Sequence, residues 1–132
     1  MKLIIMLVLY LSCSIANGLS YDLILQNSSS QCPQPVSLTN GKIVRVTSRA
    51  GSTIEALLLN PTIDPDQFSK ISIELTGFGE GSITFRYNVG SCEVAPLVVT
   101  YRTQDLSHPI VESIPSGYTF QYNPSLGYTF GC

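Results

Sequence analysis

Few residues in this chain could do chemistry. The single histidine, His108, stands beside Ser107 and Pro109 in the segment QDLSHP. An imidazole next to a hydroxyl can act as the base of a nucleophilic dyad or triad. That chemistry needs a serine held on a strained elbow such as G-x-S-x-G, which the chain lacks, so His108 reads as a surface-loop side chain. The carboxylates Asp22, Glu55, Asp64, Asp66, Glu74, Glu80, Glu93, Asp105 and Glu112 are spread along the chain. A glycosidase pair needs two of them about 5 to 10 Å apart, and no spacing here imposes that. Asp64 and Asp66 flank Pro65. They could offer oxygens to calcium, which takes six to eight, but two aspartates around a proline more simply make a turn. No cysteine pair has the close spacing that preorganises zinc. The sequence therefore implies no metal, no cofactor and no enzyme.

Aromatic residues are the better candidates for a binding site. In the run Tyr118-Thr119-Phe120-Gln121-Tyr122 three rings share one face of a strand, and Tyr128 and Phe130 join them if the last two strands form a hairpin. Such a face could be a platform on which sugar rings stack, with Tyr118, Tyr122 and Tyr128 as contacts. It could equally fill the core between two sheets, since the chain has no tryptophan. Phe78, between two glycines at the tip of a turn, is a second candidate contact. Asn27-Ser28-Ser29 matches the N-x-[ST] glycosylation acceptor in an expected surface loop.

Elements that would position these residues alternate with period two. Ile71, Ile73 and Leu75, then Ile83, Phe85 and Tyr87, fall on single faces around Gly77-Phe78-Gly79-Glu80-Gly81, which predicts a central hairpin over Phe68 to Val89. Tyr21 to Gln26 reads as a first strand. Val36–Leu38 and Lys42–Arg49 read as a hairpin across Asn40-Gly41, because both turn positions tolerate positive φ. Ser52 to Asn60 reads as a strand, with a short helix as the alternative, and Asn60 to Gln67, with two prolines, as a loop. Ala95 to Thr103 is apolar on both faces, as a central strand is. Ile110 to Ile114 follows, and the echo of PSGYTF in PSLGYTF, about ten residues apart, reads as a closing hairpin rather than a solenoid repeat. The predicted fold is all-β, a two-layer antiparallel β-sandwich, jelly-roll-like, with about nine or ten short strands.

The amino terminus has Lys2, then the apolar run LIIMLVLYL, then small residues. This predicts a secretory signal peptide over residues 1–18, cleaved after Ala16 or Gly18, and a single domain over residues 19–132. The apolar run is too short for a membrane anchor, which needs about 20 residues. Cys32, Cys92 and Cys132 then remain in an oxidising compartment. The loops around Cys32 and Cys92 suggest that these two pair, leaving Cys132 for a bond to another chain. In the alternative pairing Cys132 ties down the final strand internally.

Only 12% of the residues are charged. Without Lys2 the six basic side chains face nine acidic ones, a net charge near minus three that argues against a nucleic-acid partner. Lys42, Arg45, Arg49, Lys70, Arg86 and Arg102 are also scattered through different strands. The functional expectation is a secreted, non-catalytic sandwich that acts by extracellular binding or assembly at a cell surface, in a matrix or on a virion. Its partner would be a protein, a glycan or further copies of itself in an oligomer or polymer. A carbohydrate-binding module is one form of this. A secreted inhibitor or effector docking through loop 60–67 or 77–81 is another, and a carboxylate hydrolase ranks behind them.

Overall fold

Alternation of polar residues with β-branched and aromatic ones favours extended chain, because only one face then enters the core. The computed structural model describes residues 19–90 and 92–132, and of residues 92–94 the backbone only. Among these it has nine strands: β1 (Leu19–Asn27), β2 (Leu38–Ser48), β3 (Ser52–Leu58), β4 (Phe68–Gly77), β5 (Gly81–Val89), β6 (Cys92–Arg102), β7 (Asp105–Ser113), β8 (Thr119–Asn123) and β9 (Gly127–Gly131). A 3-10 turn, Ser29–Gln31, follows β1. The expected signal peptide lies outside the described residues.

Five strands in the order β3-β4-β1-β9-β8 form one sheet, and β2-β5-β6-β7 form the other. The two pack as the expected β-sandwich. Within that class the details depart from an all-antiparallel jelly roll. β1 and β9 are parallel, and the β3–β4, β5–β6, β6–β7 and β8–β9 connections stay within a sheet. The order β3-β4-β1 facing β2-β5-β6 is that of an immunoglobulin-type sandwich, extended by β7 on one sheet and β9-β8 on the other.

Ile71, Ile73, Leu75, Ile83, Phe85 and Tyr87 are all buried, as their alternation requires. The hairpin between them is corrected. β4 pairs with β1 and β3, and β5 with β2 and β6, so the glycine-rich segment is an arch between the sheets. It stacks on a second arch at Arg49–Gly51, where the Arg49 N–H donates to the Glu80 carbonyl at 2.9 Å. A Cβ on Gly77, whose φ is 67°, would sit 1.9 Å from the Gly51 carbonyl oxygen. Glycine is there for close approach as much as for turning.

The expected Asn-Gly hairpin is also absent. β2 runs straight through Asn40 and Gly41 as a bulge, with its register shifting between Thr39 and Lys42. A residue with positive φ serves a bulge as well as a turn, so the dipeptide alone does not decide between them. The Ser52–Asn60 segment is strand β3 followed by loop, not helix.

The cysteine pairing differs too. Cys32 bonds to Cys132, with Cα atoms 5.7 Å apart across 100 residues of sequence. The Cys32–Cys92 assignment is therefore replaced, and Cys132 is occupied within the chain. Register decides this: β9 lies parallel to the end of β1 (Asn27 opposite Phe130), so the last residue arrives beside the turn that carries Cys32.

Two outcomes follow from this packing. Cys132→Ser should leave a monomer on non-reducing gels and lose about 4.7 kcal/mol in denaturant unfolding, the loop-closure value for a ring of that length. The second concerns Tyr87, buried in the core with its hydroxyl donating to the Asn60 carbonyl at 2.7 Å. Burial pushes this phenol from 10.0 up to about 12. A raised folded value means its contribution is complete below pH 10 and is lost as pH climbs towards 12. Thermal unfolding against pH should show stability falling through that window, and Tyr87→Phe should flatten the fall.

Candidate functional site

The five rings predicted to share a face do so, and most of that face is core. Phe120, Tyr128 and Phe130 are buried. Phe120 meets Phe85 edge-on at 5.9 Å, and Tyr128 meets Tyr101 at 4.6 Å. These rings join the two sheets, which is where large apolar surface is worth most. The Tyr128 hydroxyl donates to the Leu106 carbonyl, and burial raises its pKa. Tyr118 stacks on Phe130 at 5.0 Å and donates to the Gln34 carbonyl at 2.7 Å. Tyr128 is thus a core residue rather than a surface contact, while Tyr118 stays half-buried at the edge of that face.

Tyr122 is different. It lies near the end of β8, an edge strand, where the sandwich opens, and 40% of it is exposed. Beside it a groove of about 400 Å³ runs along the β8–β9 hairpin. Thr119, Gln121 and Asn123 of β8 and Thr129 of β9 supply hydroxyls and amides, the 3-10 turn adds Gln31, and Leu126 adds an apolar wall. Thr129 Oγ1 is buried without a hydrogen-bond partner among the described residues. The disulfide at Cys132 closes one end of the groove. Sequence reasoning found Tyr122 but not the polar lining, since alternation sends Gln121 and Thr129 to the face opposite the rings.

Phe78 is 74% exposed at the tip of its arch. A Cβ on Gly51 would come within 3.2 Å of its ring, so the ring leans over the neighbouring arch. The loop 60–67 does not protrude. Leu38 and Ile63 exchange backbone hydrogen bonds at 3.0 and 2.8 Å, and the Gly41 N–H donates to Pro61 at 2.8 Å. Asp64 and Asp66 accept hydrogen bonds from the Ser37 and Ser30 hydroxyls, so each ties the loop to a segment distant in sequence. Three or more metal-ligating side chains do not cluster anywhere among the described residues.

His108, Ser107 and Asp105 do come together, but not as a relay. Asp105 Oδ1 at 2.8 Å and Ser107 Oγ at 3.1 Å share the same ring nitrogen, Nδ1. A triad needs the serine on one nitrogen and the carboxylate on the other. The His108 hydrogen bond, with smaller help from Ser107 and Arg102, holds the Asp105 carboxyl below its usual range despite some burial.

Asn27 is corrected as a glycan acceptor. It is 1% exposed. Its Nδ2 donates to the Val36 and Ile63 carbonyls, both at 2.8 Å, and its Oδ1 accepts from the Ser29 N–H at 3.1 Å. Both amide hydrogens are spent inside the fold, leaving no place for a sugar. The triplet matched because Asn is also the residue that best bonds its own following backbone.

Charge is the largest departure from the sequence reading. β2 carries Lys42 and Arg45, β5 Arg86 and β6 Arg102, and register brings all four onto the outer face of the four-stranded sheet. Across it Arg45 donates to Thr84 at 3.2 Å, Thr84 meets Thr100 at 2.8 Å, and Thr100 donates to Glu112 at 2.8 Å. The outer face of the other sheet bears Asp22, Glu55 and Glu74. Cations scattered along the chain are gathered by the fold.

Comparison of the chain with protein-family models, with curated proteins and with solved structures yields no match. Among the described residues no helix is long and apolar enough to cross a membrane.

Replacing Asn27 by Ala should cost about 3 kcal/mol in denaturant unfolding, because two buried carbonyls and an N–H lose their partner. Mass spectrometry of the protein from a glycosylating host should find Asn27 unmodified.

Proposed function

We propose that this chain is a secreted, non-catalytic β-sandwich that acts by binding outside the cell, and that its ligand is a glycan held in the β8–β9 groove. The observation that carries this is the groove on the outer face of the β8–β9 hairpin, lined by the hydroxyls and amides of Thr119, Gln121 and Asn123, with the exposed Tyr122 at its rim. Amide and hydroxyl groups both donate to and accept from sugar hydroxyls, and Tyr122, whose ring lies on the other face of the hairpin against Tyr128, offers an apolar edge at the rim. The few charges on the groove favour a neutral sugar. An apolar amino-terminal segment and a disulfide across the whole domain support an oxidising, extracellular setting. Assembly through Cys132 loses its chemical basis, because that sulfur is already bonded to Cys32.

Titration with a panel of neutral oligosaccharides, followed by amide chemical shifts, should move Gln121, Tyr122 and Thr129. Tyr122→Ala should weaken binding by roughly tenfold with little change in unfolding temperature. Shifts elsewhere, or equal affinity in the variant, would overturn the assignment.

A further inference from the structure

On the opposite sheet, Lys42 and Arg86 are direct partners across β2 and β5. Cβ atoms of opposed residues lie about 4.5 to 5.5 Å apart, and like charges so placed repel. Of the other cations of this face, Arg45 is 3.5 Å from Glu112, and Arg102 stands opposite Asp105 in the register, beyond ion-pair distance. Among the described residues no carboxylate lies within ion-pair distance of Lys42 or Arg86.

The backbone beneath the pair is rigidly built. Asn40 and Gly41 together stand where one residue would pair with Tyr87. Without that extra residue, Lys42 would face the core, since a one-residue slip exchanges the faces of a strand. Asn40 holds φ 51°, uncommon for a residue other than glycine. A Cβ on Gly41 would lie 2.1 Å from the Tyr87 ring, so only glycine fits. The Gly41 N–H is fixed to Pro61, and the Tyr87 hydroxyl to Asn60. The result is a groove of about 540 Å³ lined by Asn40, Gly41, Lys42, Pro61, Arg86 and Asn88. A strained bulge that turns a lysine to face an arginine costs stability, and rules broken in this way mark functional sites.

We propose that Lys42 and Arg86, with the Asn40 and Asn88 amides, bind an oxyanion carried by an acidic glycan, a sulfate ester or a uronate. The guanidinium fork suits two oxygens of one anion, the ammonium supplies a point charge, and the amides add neutral donors. A groove of this volume admits the sugar unit that bears the charge. Nucleic acid fits less well. Phe85, Tyr87 and Tyr101 of this sheet all point into the core, leaving no described ring on this face for a base to stack on. The site is separate from the β8–β9 groove and does not depend on it.

The test is calorimetric and chemical-shift titration of the disulfide-bonded protein with a sulfated heparin oligosaccharide, the same oligosaccharide after desulfation, sodium sulfate, and a short DNA duplex. The sulfated oligosaccharide should shift the amides of Lys42, Arg86 and Asn88, and desulfation should weaken binding about tenfold or more. The K42Q/R86Q double variant should lose binding to the same extent with its unfolding temperature unchanged or raised, because a repulsive pair is removed. R45Q/R102Q and Tyr122→Ala should bind within about threefold of the parent. Sodium sulfate moving the same amides would show that the pair reads a free anion as well, in support. Equal binding by K42Q/R86Q, an equal loss in R45Q/R102Q, or tighter binding of the duplex would each overturn the proposal.

Discussion

One buried side-chain amide, that of Asn27, holds together the end of the sandwich on which the β8–β9 groove and the β2 bulge rest. Its three hydrogen bonds join the end of β1 to the 3-10 turn, to the Val36 strand entry and to the Ile63 loop. Its backbone adds two more, to Gln67 and from Asp66. Inside a protein an amide that satisfies every donor and acceptor is rigid, because releasing any one leaves a buried polar group unpaired. The loop thus anchored presents Pro61 to Gly41 and so supports the β2 bulge. The turn on its other side carries Cys32, whose bond to Cys132 secures β9 and the end of the β8–β9 groove.

The aromatic face shows how one strand pattern can serve two purposes. Rings that alternate on β8 and β9 enter the core as far as the facing sheet covers them, and Phe85 and Tyr101 provide that cover. Where β8 reaches the open end, Tyr122 keeps contact with Tyr128 at 5.2 Å on one side and meets solvent on the other. A tyrosine packed along one edge loses little entropy on gaining a ligand, which suits it to recognition.

Charge distribution gives the two sheets different surface chemistry. A chain this poor in charge gains little from long-range attraction, so specificity has to come from local geometry. The polar row from Arg45 to Glu112 satisfies itself across four strands. The row beside it, Lys42 and Arg86, has no such closure among the described residues. Adjacent rows of one sheet face thus differ in whether their charges are answered from within.

Period-two alternation determined the fold class, because each buried face of β4, β5, β6, β8 and β9 is written in residues two apart. It also singled out Tyr122 and the shared face of the rings. Tertiary structure decided what each signal meant. Glycines at Gly77 to Gly81 and at Asn40-Gly41 announced departures from a straight strand, yet whether these became hairpins, an arch or a bulge depended on which strands lay alongside. Asn27 looked like a glycan acceptor and became a structural hub, since a local triplet carries no record of burial. The cysteine partners and the cationic face rest on register between strands far apart in the chain. Alternation specifies which side of its own strand a residue takes, and only packing specifies which neighbour it meets there.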